Sequence, residues 1–237
     1  VRIDALDPDR NAPCAGLATR FNTGDLYDEA AILHHAADAD VVGIEIEHVS
    51  VAALERLQAQ GKRVIPPPDV LRTIQDKGLQ KQFYLDHDIP TAAFVLVSTR
   101  DELQHHTDLL PGFLKLRTGG YDGKGVMPVR SAEDIGQAFE GPCVLERHTD
   151  VAMELAVVVV RDDAGHQVTY DPVEMVFDPR YNLVDHLRAP ARIPERITNA
   201  SRELAARVAE AFNAPGIYAV ELFLTGTGEL LVNETAP

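Results

Sequence analysis

The stretch that decides how this chain is read is Phe113-Leu-Lys115-Leu-Arg-Thr-Gly119-Gly120-Tyr121-Asp122-Gly123-Lys124-Gly125. A short apolar run carrying a lysine, 113–116, leads straight into four glycines within seven residues. Glycines at that density let the backbone turn sharply and aim its N–H groups at a group that approaches closely. Lysines at both ends supply positive charge, which makes a phosphate chain the natural ligand. Core packing has no use for such a mixture of glycines, lysines and an aspartate, so the segment marks an enzyme rather than a scaffold.

The bulk properties narrow the setting. At 237 residues the chain makes one large or two small domains and is long enough to bury a real core. The formal charge of −15 argues against a nucleic-acid partner, whose phosphates demand a basic face. An anionic small substrate stays compatible, because a local basic pocket or a bound cation overrides the global field. Cys14 and Cys143 match no metal or redox spacing and read as reduced cytosolic thiols. Neither a membrane-length apolar run nor a signal-peptide pattern is present. The expectation is a soluble cytoplasmic protein without a membrane partner.

Outward from the loop, the pattern divides the chain into an α/β part over 1–70 and an α+β part over 71–237. In the first, 1–6 alternates as a strand and breaks at Asp7-Pro8-Asp9. A helix near 26–37, a strand over 40–46 and a helix over 51–60 follow, the last opened by Ser50 and stopped by Gly61. Val64-Ile65 and three prolines close the region, giving a βαβαβ rhythm and a parallel sheet. Helices starting at Asp69 and covering 77–87 come next. Beyond Thr91 short strands take over at 94–97, 113–116, 126–129 and 143–146, with a helix over 132–139. Strands over 154–161 and 166–170 flank the turn Asp162-Asp-Ala-Gly165, and an amphipathic helix spans 199–213 with Leu204, Val208 and Phe212 on one face. A final hairpin runs 218–224 and 229–234, so this part predicts antiparallel sheets.

That hairpin carries the second chemical signal. Glu221 interrupts an apolar strand, and Asn233-Glu234 ends its partner. Side chains alternate along each strand, so a loop of two or four residues puts Glu221 and Glu234 on one face. An odd loop brings Asn233 beside Glu221 instead. Either register gathers two or three oxygen ligands, and like charges that close repel unless a cation lies between them. Mg²⁺ held by carboxylates and substrate phosphates is the usual solution. An arbitrary glutamate pair on a hairpin would more often face solvent or an arginine; the phosphate loop upstream tips the reading towards metal.

Taken together these residues resemble the ATP-grasp ligases, and most closely the branch of 5-(carboxyamino)imidazole ribonucleotide synthases. The resembling blocks are Glu45-Ile-Glu47-His-Val, Gln75-Asp-Lys77-Gly-Leu-Gln-Lys81 with Ile89-Pro-Thr91, and Lys115 to Gly125. Val144-Leu-Glu146, Pro172-Val-Glu174, Ala189-Pro-Ala-Arg192 and Ala219-Val-Glu221-Leu-Phe through Asn233-Glu-Thr-Ala-Pro237 continue the series in the family's order. The resemblance implies a pre-ATP-grasp α/β domain over 1–70 and an ATP-grasp domain over 71–237. It implies ATP and Mg²⁺ as cofactors, 5-aminoimidazole ribonucleotide and bicarbonate as small-molecule partners, and a homodimer. The implied reaction passes through carboxyphosphate, in purine biosynthesis. A formate-using glycinamide ribonucleotide transformylase is the runner-up, since it shares the grasp and Glu-Ile-Glu; Tyr121-Asp-Gly-Lys124 favours the imidazole branch. A non-catalytic fragment that only binds nucleotide is the third reading.

Carried over by position, Lys115 is the strand lysine on the phosphates, with Lys77 near the nucleotide. Gly120, Tyr121, Asp122, Gly123, Lys124, Gly125 and Val126 form the phosphate-covering loop. Glu146, Arg147, His148 and Thr149 make the linker at adenine, and Glu154 the acid on the ribose. Glu221 and Glu234 are implied magnesium ligands with Asn233 beside them, and Tyr121 and Glu45 contact the ribonucleotide. Val126 stands for a frequent glutamine, and Phe177 for a histidine near the nucleotide. Against the family pattern a Gly-x-Gly-Gln-Leu-Gly turn before Val1 and the segment after Pro237 are missing, so poor ATP binding and little turnover are expected of this chain by itself. His34, His35, His105 and His106 read as solvated, and Asp162-Asp163 as a turn pair. His186, Arg188 and Arg192 read either as an anion site or as surface salt bridges.

Overall fold

Alternation at the start of the chain gives a strand over Asp4–Asp7 (β1), paired in parallel with Arg20–Thr23 (β2). The computed structural model describes residues 1–120, 125–178, 180 and 183–237. They form two units, Val1–Arg72 and Thr73–Ala236. In the first unit Asp28 caps a helix over Glu29–His35 (α1), its carboxylate accepting the N–H groups of Ala30 and Ala31. Next come Val41–Gly43 (β3), Val51–Ala59 (α2) and Arg63–Ile65 (β4), with β3 and β4 parallel. Ser50 caps α2 through Ala53 N, as its position before an apolar-periodic run predicts. Ala53, Leu54 and Leu57 turn one face of α2 into a core shared with Ile32, Ala36, Val64 and Leu71.

The parallel pairing is as expected, but the single sheet is not. β1–β2 and β3–β4 are separate two-stranded ladders of three- and four-residue strands. β2 escaped the sequence reading because Phe21 is the only apolar residue in Arg20–Thr23, leaving no alternation to detect.

A helix over Pro68–Gln75 (α3) leads to a second over Lys77–Asp86 (α4), separated by Asp76 in an extended conformation. The second unit then builds two antiparallel sheets. Phe94–Val97 (β5), Gly112–Leu116 (β6), Val126–Val129 (β7) and Cys143–Arg147 (β8) form the smaller, in the order β5-β8-β6-β7. Val97, Leu114, Val129, Cys143 and Leu145 make its apolar core with Leu103, Leu109 and Ile135. The helix expected over 132–139 is only a 3₁₀ segment, Ala132–Gln137, held at its start by a Ser131–Asp134 capping box. A second 3₁₀ segment covers Asp101–Leu109.

The larger sheet contains Val151–Arg161 (β9), Gln167–Thr169 (β10), Val173–Asp178 (β11), Leu183–Arg188 (β12), Gly216–Thr225 (β13) and Leu230–Ala236 (β14). Its order is β12-β11-β9-β13-β14, with β10 also on β9. Leu155, Val157 and Val159 are buried on one face of β9, against which Glu195–Phe212 (α5) packs with Leu204, Ala205 and Val208. α5 starts four residues before the expected 199, directly after Pro194, and closes as expected at Asn213, which lies in the left-handed region. β11 and β12 went unread: the residues of β12 are nearly all exposed, so no buried face imposes a period. No helix among the described residues is long and apolar enough to cross a membrane.

One buried polar cluster fixes β14 against α4. The side-chain carbonyl of Gln80 accepts Thr235 N at 2.9 Å and the Tyr84 hydroxyl at 2.7 Å, and its amide donates to Thr235 O at 3.0 Å. The Tyr84 proton is thereby spent, so the Thr235 hydroxyl, 2.8 Å away, donates to Tyr84. Tyr84→Phe leaves Gln80 and Thr235 short of a partner inside the protein. It is expected to lower unfolding free energy by about 1–3 kcal/mol, read from urea denaturation.

Candidate active site

The β13–β14 hairpin sets the acidic side. Leu224 pairs with Leu230 across five residues, 225–229, and that odd connection would by itself bring Asn233 opposite Glu221. A bulge between Glu221 and Leu222 shifts the register by one, so Glu221 faces Glu234 instead. Both alternatives are thus realised: Glu221 and Glu234 are cross-strand partners, and Asn233 Nδ2 donates to Glu221 Oε2 at 3.3 Å. A bulge is a common means of re-aiming a side chain beside a site. Glu154 on β9 is registered opposite Phe223, two residues from Glu221, and therefore shares its face of the sheet.

The carboxylates are in tension. Burial and the neighbouring charge of Glu234 push Glu221 up to about 7. Burial also raises Glu154. Glu234 faces the same burial, but an ion pair with Lys77 holds it below the usual carboxylate range. Lys77 in turn is penalised by burial, and Glu234 more than offsets this, keeping it charged.

Lys77 is placed by the first turn of α4. Asp76 caps the helix through the N–H groups of Gly78 and Leu79 and also grips Arg117 with both oxygens, at 2.8 and 2.6 Å. The bidentate pair raises Arg117 further, and Lys77 N donates to Arg117 O at 2.9 Å. The approach is so close that a Cβ on Gly78 would lie 2.5 Å from Arg117 Nε. The helix start is therefore stapled to the chain just before the glycine-rich segment.

Lys115 on β6 lies opposite Val144, so Glu146, two residues along β8, shares its face. Lys115 Nζ sits 3.0 Å from Glu146 Oε1, out of line for a hydrogen bond, and donates to Asn233 Oδ1 at 3.2 Å. Asn233 thus has its amide oriented by a cation on one side and a carboxylate on the other. Glu146 also meets Lys81, whose Nζ is 3.1 Å from Oε2 and 2.7 Å from Thr91 Oγ1. Burial pulls Lys81 down to about 8 against the opposing pull of Glu146. Burial acts to raise Glu146, yet the two lysines hold it low.

Of the residues singled out in the sequence, Lys77, Lys115, Glu146, Glu221, Asn233 and Glu234 are brought together, with Glu154 on the same sheet face as Glu221. Val126 pairs with Lys115 across β6–β7. Gly125 adopts φ +76°, and a Cβ there would come 3.1 Å from Gly120 Cα, so these two glycines close tightly on each other. Tyr121, Asp122, Gly123 and Lys124 lie outside the described residues. Arg147 N and His148 N are spent on Ala93 O and Pro111 O, and the His148 ring lies 5.8 Å from Phe113. Glu45 is exposed in the first unit. Glu146 was read only as part of the linker at adenine, whereas its side chain is a buried charge. Lys81 and Thr91 were missed, though Lys77 and Lys81 stand one turn apart on a helix, a spacing that puts both on one face. Arg188 pairs with Glu174 at 2.7 Å, and His186 with Asp185 at 2.9 Å, which favours surface salt bridges there.

Because Glu221 holds its proton more tightly in the folded chain than in the unfolded, the associated stability is full below the ordinary carboxylate range. It is lost as pH rises through about 7. Glu221→Gln cannot ionise and escapes that loss. In chelator, wild type is expected to lose on the order of 3 kcal/mol relative to Glu221→Gln between about pH 5 and about pH 8, read from urea denaturation.

Both parts of the chain match known families. The ATP-grasp domain model matches residues 82–237, and that of the ribonucleotide synthetase preATP-grasp domain matches residues 1–75. A phosphoribosylaminoimidazole carboxylase of Candida albicans is 37% identical over 90% of this chain and 39% of its own length. An N5-carboxyaminoimidazole ribonucleotide synthase of Bacillus subtilis is 32% identical over 100% of this chain and 63% of its own. The structure of an Aspergillus clavatus N5-carboxyaminoimidazole synthase with ADP and 5-aminoimidazole ribonucleotide superposes with a TM-score of 0.88 at 31% identity, over 98% of this chain and 62% of that one. The chain thus spans from about two fifths to under two thirds of the length of these relatives.

Proposed function

The chain belongs to the ATP-grasp family, and on that premise we propose that it serves the ATP- and bicarbonate-dependent carboxylation of 5-aminoimidazole ribonucleotide. The observation that carries the reading is the convergence of Lys115, Asn233, Glu221 and Glu234 from two sheets, reached by Lys77 from α4. Similarity to relatives named for this chemistry supports the substrate. The Thr118-Gly-Gly-Tyr-Asp-Gly-Lys124 segment favours it over formate chemistry on glycinamide ribonucleotide.

The donor set fits magnesium. Two carboxylates stand in register, and Glu221 is raised by burial and then by the charge of Glu234, a repulsion that a cation between them would relieve. Among the described residues no three His, Cys, Asp or Glu side chains form a ready metal cluster. The protein thus supplies a partial shell, as suits an ion completed by substrate phosphates and water. Glu221 and Glu234 would hold Mg²⁺, which when bound neutralises charge on the phosphates.

In the proposed reaction a bicarbonate oxygen attacks the γ-phosphorus of ATP, ADP leaves, and carboxyphosphate forms. The exocyclic amine of the ribonucleotide then attacks the carboxyl carbon, phosphate departs, and the amine proton is released. Such transfers need positioning and charge neutralisation more than covalent help from the protein. Lys115 and Lys77 supply positive charge to the phosphates, Asn233 holds Lys115 in line with the carboxylates, and Glu154 offers an acceptor for ribose hydroxyls. The glycine-rich segment, which the resemblance makes the phosphate cover, would exclude water that hydrolyses carboxyphosphate.

Whatever phosphate release from ATP the chain supports is expected to depend on bicarbonate plus 5-aminoimidazole ribonucleotide, and not on formate plus glycinamide ribonucleotide; the reverse selectivity would sink the assignment. Lys115→Ala or Glu234→Ala is expected to abolish that release while leaving circular dichroism unchanged, so undiminished turnover in either variant removes it from the site. Binding of Mg-ADP without turnover would reduce the reading to nucleotide binding alone.

A further inference from the structure

Lys81 is almost fully buried, 3% exposed, at a position where packing alone has no use for an ammonium group. Its Nζ lies between Glu146 Oε2 and the Thr91 hydroxyl. That hydroxyl donates to Val232 O at 2.7 Å, so it receives its other hydrogen bond from Lys81. Glu146 turns its remaining oxygen to Lys115. Two ammonium groups and one carboxylate leave the trio one positive charge in excess. The side chains of Lys81 and Glu146 are sealed at 4% exposure each, whereas that of Lys115 is 14% exposed and reaches the carboxylate-bearing strand through Asn233. The excess charge therefore emerges only at Lys115.

We infer that Lys81 is a positioning residue: by occupying one oxygen of Glu146 it keeps the charge of Lys115 free for a polyphosphate. Without Lys81, Glu146 and Lys115 make a closed pair of zero net charge, with both carboxylate oxygens free to draw the ammonium inward. The role deepens the nucleotide reading above and rests on it. A merely structural Lys81, tying β8 to β14 through Thr91, would act on folding and leave the charge at Lys115 unchanged.

Calorimetric titration with Mg-ADP of the wild-type chain, Lys81→Met and the double variant Lys81→Met/Glu146→Gln separates these roles. Lys81→Met is expected to weaken binding about tenfold or more. The double variant restores the excess charge and is expected to bind at least about threefold more tightly than Lys81→Met. Lys81→Met within threefold of wild type, or a double variant no tighter than Lys81→Met, overturns the charge role. If Lys81→Met fails to fold, Lys81→Gln takes its place in the same comparison: a loss of about tenfold supports the role, and binding within about threefold of wild type overturns it. A wild-type chain that does not bind Mg-ADP overturns the nucleotide reading itself, a result distinct from equal binding by wild type and variant.

Discussion

The buried carboxylate of Glu146 ties α4 and both sheets of the second unit together through two lysines. Glu146 sits on a central strand of the smaller sheet, where an unpaired charge would cost several kcal/mol. Lys81 from α4 and Lys115 from the neighbouring strand meet it from two sides. Each lysine then reaches β14 of the other sheet, Lys81 through Thr91 to Val232 O and Lys115 directly to Asn233. A buried ion pair of this kind adds little net stability compared with apolar packing. What it does provide is direction, because losing any member strands the others, and so it fixes the registration of helix and two sheets at one spot.

The second constraint is the bulge in the final hairpin. Without it Asn233 would pair with Glu221, and Glu234 would point to the opposite face, among the apolar residues under α5. With it the two glutamates stand opposed and the asparagine bridges Glu221 to Lys115. The acidic tension this creates is only half relieved from within. Lys77 satisfies Glu234, while Glu221 remains pushed up to about 7. A site left one counter-charge short is suited to an incoming cation.

How far the sequence disclosed this depends on the kind of signal each residue carries. Glycines and lysines in 115–125 and the Glu221…Asn233-Glu234 spacing are local and stood out at once. Strands such as β5, β6, β8 and β9 were legible as short apolar runs, 155–160 being Leu-Ala-Val-Val-Val-Val, of which Leu155, Val157 and Val159 turn out to be the buried face. β2 and β12 were not, because one holds a single apolar residue and the other buries neither face. The register at Glu221 could be narrowed to two outcomes and no further, since nothing local marks the bulge that combines them. Lys81 was invisible for a different reason. A lysine on a helix reads as solvated, and its burial follows only from Glu146 and Thr91, which are distant in sequence and matter only once folded.

The local and global electrostatics of the chain point in opposite directions, and the difference bears on how an anion is held. With a formal charge of −15, the long-range field opposes the approach of a polyphosphate and contributes no steering. If the site takes a polyphosphate, attraction comes from Lys77, Lys115 and Arg117 at short range, where partial burial keeps water and salt from screening them. Those same cations are already engaged by Glu234, Glu146 and Asp76. A phosphate chain entering here would compete with carboxylates for cations that the fold has already ordered. The cost of immobilising the lysines is met during folding, and what remains to binding is an exchange of partners on a prepared frame.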